Sequence, residues 1–120
     1  MTPKRALRFA KVMVLDSQDL GPPPESIRYE RDLHRQNAWR GVDQWQEPAQ
    51  TDQFDRGDCE DLMMRWAAWI ARTRPILLAC SKTGQRMRHF FLIDPATKRV
   101  IDPSVERGMR PMQKHKYLQE

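Results

Sequence analysis

Cysteine is scarce in this chain, with only Cys59 and Cys80 among 120 residues. Two thiols do not make a disulfide framework, so a small scaffold stapled by several bridges is excluded. A single Cys59–Cys80 bridge stays open on the sequence, but a reducing compartment suits the pair better. Long apolar runs are absent too. Nothing approaches the ~20 residues that span a bilayer. Lys4, Arg5 and Arg8 precede an apolar run, but Lys11 interrupts it and no small-residue cleavage site follows. These absences predict a cytoplasmic chain with no membrane partner. Zinc-ligand spacings, a Gly-rich phosphate loop and a basic helix with a periodic face are also missing. The 21 Lys and Arg are scattered among 16 acids rather than gathered in one run. The net charge of +5 tolerates anionic partners, but the pattern argues against a nucleic-acid binder. There is no internal repeat and no low-complexity segment.

What is present suits one soluble domain with a modest core. Four tryptophans argue against disorder. In chain order, residues 7–15 read as a strand, rich in residues that suit a pleated surface. Pro22, Pro23 and Pro24 follow as a stiff connector. Residues 25–40 read as a helix with Ile27, Leu33, Ala38 and Trp39 apolar and Gly41 as its stop. Residues 42–56 show no period and read as a long ordered loop. A helix is predicted from Cys59 to about Arg72, with Leu62, Trp66, Trp69 and Ile70 on one buried stripe. Pro75 ends it. Residues 76–80, 88–94 and 99–102 read as three strands, the first buried on both faces. We place the domain at 1–104 and treat 105–120 as a polar, basic tail.

The stretch Gly57-Asp58-Cys59-Glu60-Asp61 organises this pattern. A turn ends in a cysteine, and the cysteine opens an apolar-rich helix. A thiolate is the nucleophile, and a helix N-terminus favours negative charge. Gly57 allows a sharp turn. Asp58 is a good N-cap, and Asp61 three residues on has the spacing of a capping box. An ordinary buried cysteine in a capped helix explains the same pentapeptide equally well.

A nucleophilic cysteine needs a base, and the base needs an orienting group. His34 and His115 lie among charges and read as solvated. His89 alternates with Phe91 and Ile93 and so shares a packed face. A hairpin pairing Asp94 with Arg99 makes paired positions sum to 193. Phe91 then faces Asp102, and His89 faces Ser104. His89 and Asp102 become diagonal neighbours, ~7–8 Å apart at Cα, within reach of a histidine–carboxylate hydrogen bond. Asp94 points to the other face and fits a turn start, with Pro95 at the second position. A slip of one residue would overturn this choice.

With Cys59, His89 and Asp102 in that order, the chain resembles the bacterial transglutaminase-like cysteine proteinase family. The shared motifs are Gly57 to Asp61, the upstream Asp43 with Trp45-Gln46-Glu47-Pro48, the strand His89-Phe90-Phe91-Leu92-Ile93, and Val100-Ile101-Asp102. The likeness covers residues 37–104. It implies a papain- or transglutaminase-like α+β fold, with the nucleophile-bearing helix packed on a small antiparallel sheet. It also implies attack by Cys59 on an amide carbonyl, with His89 shuttling the proton and Asp102 orienting the ring. Oxyanion donors are expected from the Cys59 N–H and from Trp45, Gln46 or Gln53, among which the sequence does not choose. Trp45 equally suits a core anchor. Some adhesin-cleaving members bind calcium beside the nucleophile, and the matching positions are Asp58 and Glu60. Two carboxylates are not a calcium site by themselves, and the chemistry requires no cofactor. The chain is shorter than those relatives, so the periplasmic adhesin-cleaving role does not carry over; a small cytoplasmic or phage-encoded member fits better.

The first expectation is therefore a thiol hydrolase acting on a protein or peptide amide. The second keeps the fold without catalysis, as a structural or assembly module, such as one of a phage particle.

Overall fold

The computed structural model describes residues 2–31, 45–83, 86–109 and 116–119. It is a small α+β domain in which helices pack on an antiparallel sheet.

The chain opens with helix α1, Pro3–Leu15, where the sequence predicts a strand. The helix period outweighs the β-propensity of Phe9, Val12 and Val14. Ala6, Leu7, Ala10 and Val14 recur at three- and four-residue spacing and are buried together. Thr2 caps the N-terminus by accepting the Arg5 N–H, and Pro3 occupies the first turn, where its missing N–H costs nothing.

Residues 25–31 are not helical either. Arg28–Tyr29 form a short strand, β1, parallel to β2 at Arg56–Gly57. Their backbone groups are committed to distant partners. Tyr29 N–H donates to Arg107 O at 3.0 Å, and Glu30 N–H to Gly57 O at 2.8 Å. Tertiary pairing overrides a loose local pattern here. The remainder of the helix predicted over 25–40 lies outside the described residues, as do Asp43, His34 and His115.

The predicted loop at 42–56 contains a helix, α2, Pro48–Phe54. Its signal was Glu47-Pro48-Ala49-Gln50. The Gln50 side chain accepts the Glu47 N–H at 2.8 Å, and Pro48 stands at the first helical position. Asp55 ends the helix in the left-handed region, with φ 61°. Gly57 follows in β2 without a positive φ, so a sharp turn is not why it is glycine.

Helix α3, Cys59–Ile70, is where the sequence places it. It is buried on more than one stripe. Every residue from Asp61 to Ala68 is buried, whereas Trp69 and Ile70 are only partly so. The reason is position, since α1, α2 and the strand β4, Arg86–Ile93, all pack on it. Even Arg65 is fully buried, which no apolar pattern foretells. Its Nε donates to Asp52 Oδ1 at 2.6 Å, and its Nη atoms donate to the carbonyls of Gly21, Pro22 and Leu20 at 2.9, 3.2 and 3.4 Å.

The sheet has the order β5-β4-β3-β6, with β3 at Leu77–Thr83, β4 at Arg86–Ile93, β5 at Val100–Ile101 and β6 at Lys116–Gln119. Neighbouring strands are antiparallel. Leu78, Cys80, Phe90 and Leu92 face the core shared with α1 and α3, while Ala79, Phe91 and Ile93 cluster on the other face. Cys80 is buried on β3 and is not bridged to Cys59. Beyond residue 104, the chain completes a short helix, α4, Pro103–Glu106, and then supplies β6 as an edge of the sheet. The stretch read as a tail thus contributes to the fold. No helix among the described residues is long and apolar enough to cross a membrane.

Candidate active site

The hairpin between β4 and β5 has the predicted register. Leu92 pairs with Ile101 and Ile93 with Val100, and Asp94 N–H donates to Arg99 O at 2.9 Å. Asp94 performs the turn role expected of it. Its carboxylate accepts the Ala96 N–H at 2.9 Å and pairs with Arg74 at 2.7 Å.

That register carries His89 to Asp102. The His89 Nε2 lies 2.7 Å from Asp102 Oδ2. The imidazole is buried and stacks on Phe91, with ring centroids 5.9 Å apart. Asp102 is itself held in place. It N-caps α4, its Oδ1 accepting the Ser104 and Val105 N–H groups at 3.2 and 3.4 Å. One oxygen is thus spent on the helix cap and the other on the histidine. With Nε2 engaged by the carboxylate, Nδ1 is the ring nitrogen left to accept a proton.

Cys59 stands at the first position of α3 and is partly buried. The Phe90 backbone N–H, one residue along β4 from His89, donates to its sulfur and favours the thiolate. Other influences are stronger. Burial, then the Glu60 and Asp58 carboxylates, push the thiol well above its ordinary value. The Cys59 thiol donates to Glu60 Oε2 at 3.4 Å rather than to His89. Magnitudes explain why the helix terminus loses. A helix N-terminus contributes ~2 kcal/mol at most to a nearby negative charge. Burial, the largest cause, opposes the thiolate first, and an ionised Glu60 at 3.4 Å would add about 5 kcal/mol of repulsion at an effective dielectric near 20.

Asp58, Glu60 and Asp61 form one acidic cluster, with an oxygen of each within 4.8 Å of the others. The spacing predicts Asp61 as a partner in the cap of α3, and it stands there. Its Oδ2 accepts the Asp58 N–H at 3.2 Å. Its Oδ1 also accepts the Gln46 N–H at 3.1 Å. Burial, then the Asp58 carboxylate, push Asp61 up to about 9. Glu60 is pushed well above the usual carboxyl range by burial, Asp58 and Asp61. Three crowded carboxyl groups, with Asp58 Oδ1 buried and unpartnered among the described residues, fit a hard divalent cation such as calcium.

The three loop candidates separate clearly. Trp45 is a core anchor, edge-on to Phe90 at 5.1 Å and to Phe9 at 6.5 Å. Gln53 sits exposed on α2. Gln46 is partly buried, with its backbone tied to Asp61 and its Oε1 accepting from the Thr51 hydroxyl at 3.1 Å. Tyr29 is a neighbour the sequence did not suggest. Burial and then the Cys59 and Asp58 charges raise its phenol, which places it beside Cys59. A cavity of about 320 Å³ between the end of α1 and the start of α2 includes none of Cys59, His89 or Asp102.

Comparison with family models, curated proteins and solved structures finds no match to this chain.

Proposed function

We propose that the domain is a cysteine hydrolase of the papain- or transglutaminase-like type, acting on peptide or protein amides. The observation that carries this reading is the His89–Asp102 hydrogen bond of 2.7 Å, built on the strand that meets the Cys59 sulfur at Phe90. Asp102 holds the proton on Nε2, so Nδ1 accepts the thiol proton as the sulfur attacks the amide carbonyl. An S–C bond forms, and the developing oxyanion is met by preorganised N–H donors. The C–N bond then breaks, and the imidazolium returns its proton to the leaving amine. Water, activated by the same imidazole, resolves the thioester. Because burial, then Glu60 and Asp58, disfavour a thiolate, the resting nucleophile is a neutral thiol.

Asp58 and Glu60, joined by Asp61, are the residues that would hold calcium. A bound cation would offset the negative charge beside the sulfur and so ease deprotonation of Cys59.

One observation favours a second reading, a structural or assembly module on the same fold: the thiol is held protonated by its own neighbours. Digestion of a peptide library, with and without calcium, separates the two. New termini or deamidated side chains that vanish in Cys59→Ser and His89→Ala support the hydrolase. Asp102→Asn should lower the rate about 10²–10⁴-fold. A wild-type chain that leaves the library intact under both conditions favours the module.

A further inference from the structure

Within that hydrolase reading, we propose that Asp61 is a positioning residue that locks Gln46 in place as the side-chain oxyanion donor. The two Asp61 oxygens bridge two backbone segments far apart in sequence. Oδ2 takes the Asp58 N–H at 3.2 Å, immediately before the nucleophile, and Oδ1 takes the Gln46 N–H at 3.1 Å. The bridge is rigid, because Asp61 is only 4 % exposed and its Cβ stands where a side chain at Gly57 would have to go. Trp45, packed edge-on against Phe90, ties the same segment to the strand that carries His89. Gln46 is therefore pinned between the turn of the nucleophile and the strand of the base.

The Gln46 side chain is oriented as well as placed. Its Oε1 accepts from Thr51, a fully buried residue of α2. That leaves the Nε2 group with its two protons and no acceptor among the described residues. A carboxamide whose oxygen takes the Thr51 hydroxyl has its two N–H groups to offer an oxyanion. Donors of this kind act on an oxyanion because they need no reorganisation when the charge appears.

Two reagents separate positioning from mere folding. An activated ester, p-nitrophenyl acetate, acylates Cys59 through an oxyanion. The sulfur bonds to the carbonyl carbon, nitrophenolate leaves, and the thiol proton passes to His89. Iodoacetamide alkylates the same sulfur by displacing iodide, with no oxyanion. We expect Gln46→Leu to slow acylation about 10²–10³-fold. Asp61→Asn and Thr51→Val should slow it about 10- to 10²-fold. Thr51→Val leaves the acidic cluster untouched and guards against a folding defect in Asp61→Asn. Either change combined with Gln46→Leu should be no slower than Gln46→Leu alone, because both act through one side chain. Alkylation of Thr51→Val should match the wild type. Additive losses in the double variants, parallel losses of alkylation, or wild-type acylation in Asp61→Asn and Thr51→Val would overturn the proposal. A wild-type chain that alkylates but never acylates overturns the hydrolase reading itself, and the proposal falls with it.

Discussion

A Cβ added at Gly57 would stand 2.7 Å from the Cβ of Asp61 and 3.2 Å from its Oδ2. The obstacle is the root of a helical side chain, which cannot swing away. The two outer letters of the Gly-Asp-Cys-Glu-Asp stretch are thus one feature, a close approach that lets the Asp61 carboxylate fold back over the turn. We expect Gly57→Ala to destabilise the domain by about 1–3 kcal/mol, as overpacking of a tight site does. Urea unfolding monitored by tryptophan fluorescence would measure it. A change within error of zero would mean that the helix terminus yields.

Arg65 joins α3 to Asp52 on α2 and to the carbonyls of residues 20–22. Replacing it with Met fills much of the volume but leaves the Asp52 carboxylate and three carbonyls without that partner. Breaking a fully buried pair from one side costs about 3–5 kcal/mol, and the loss here should fall below that because the Asp52 side chain is 25 % exposed and can turn to water. Arg65→Met should therefore lower the urea midpoint sharply. A double variant, Arg65→Met with Asp52→Leu, should recover part of the loss, because no charge is then left unpaired.

The Cys59 thiol is raised by burial first and by Glu60 second. Its alkylation by iodoacetamide should therefore stay slow at neutral pH and accelerate above the range of an ordinary thiol, near ~8.5. Glu60→Gln removes a negative charge from beside the sulfur, so the profile should move to lower pH. Calcium should move it the same way in the wild type, and a chelator should reverse that shift. Mass spectrometry of the Cys59 peptide, with Cys80 as internal comparison, gives the rates. A Glu60→Gln profile superimposable on the wild type would show that the carboxylate does not hold the proton.

Asp61 is raised from 3.8 to about 9 in the folded chain. A carboxyl whose folded value lies above its unfolded one stabilises the fold fully below the unfolded value. That contribution then declines as pH rises through the folded one. The Asp61 contribution should thus diminish between about pH 4 and pH 9, and Asp61→Asn should flatten that slope. Urea unfolding at a series of pH values tests the sign. A wild-type slope from this residue that rises with pH would show that Asp61 is ionised in the folded state.

Much of the site was legible in the residues because its signals are local or follow strand arithmetic. The Asp58–Asp61 spacing announced the cap of α3, and the four-residue turn after Asp94 set the register that brings His89 to Asp102. A hairpin transmits register rigidly, since each residue advances its partner by one. Position 102 was therefore predictable from position 94.

The rest was decided where segments distant in sequence meet. Residues 7–15 carry strand-forming side chains yet form a helix, because their 3.6-residue spacing gathers one apolar face that packs on α3 and β3. Residues 28–29 pair with 56–57, a parallel pairing that no local pattern announces. The state of Cys59 was decided the same way. The sequence by itself determined that a cysteine would open a capped helix, where the terminus favours a thiolate. Only the tertiary structure determined that Asp58, Glu60 and Asp61 would be packed together beside it, Asp61 buried and the other two partly so. In a desolvated cluster, charge repulsion at a few ångströms exceeds what a helix terminus supplies, so packing, rather than the motif, sets the proton on the nucleophile.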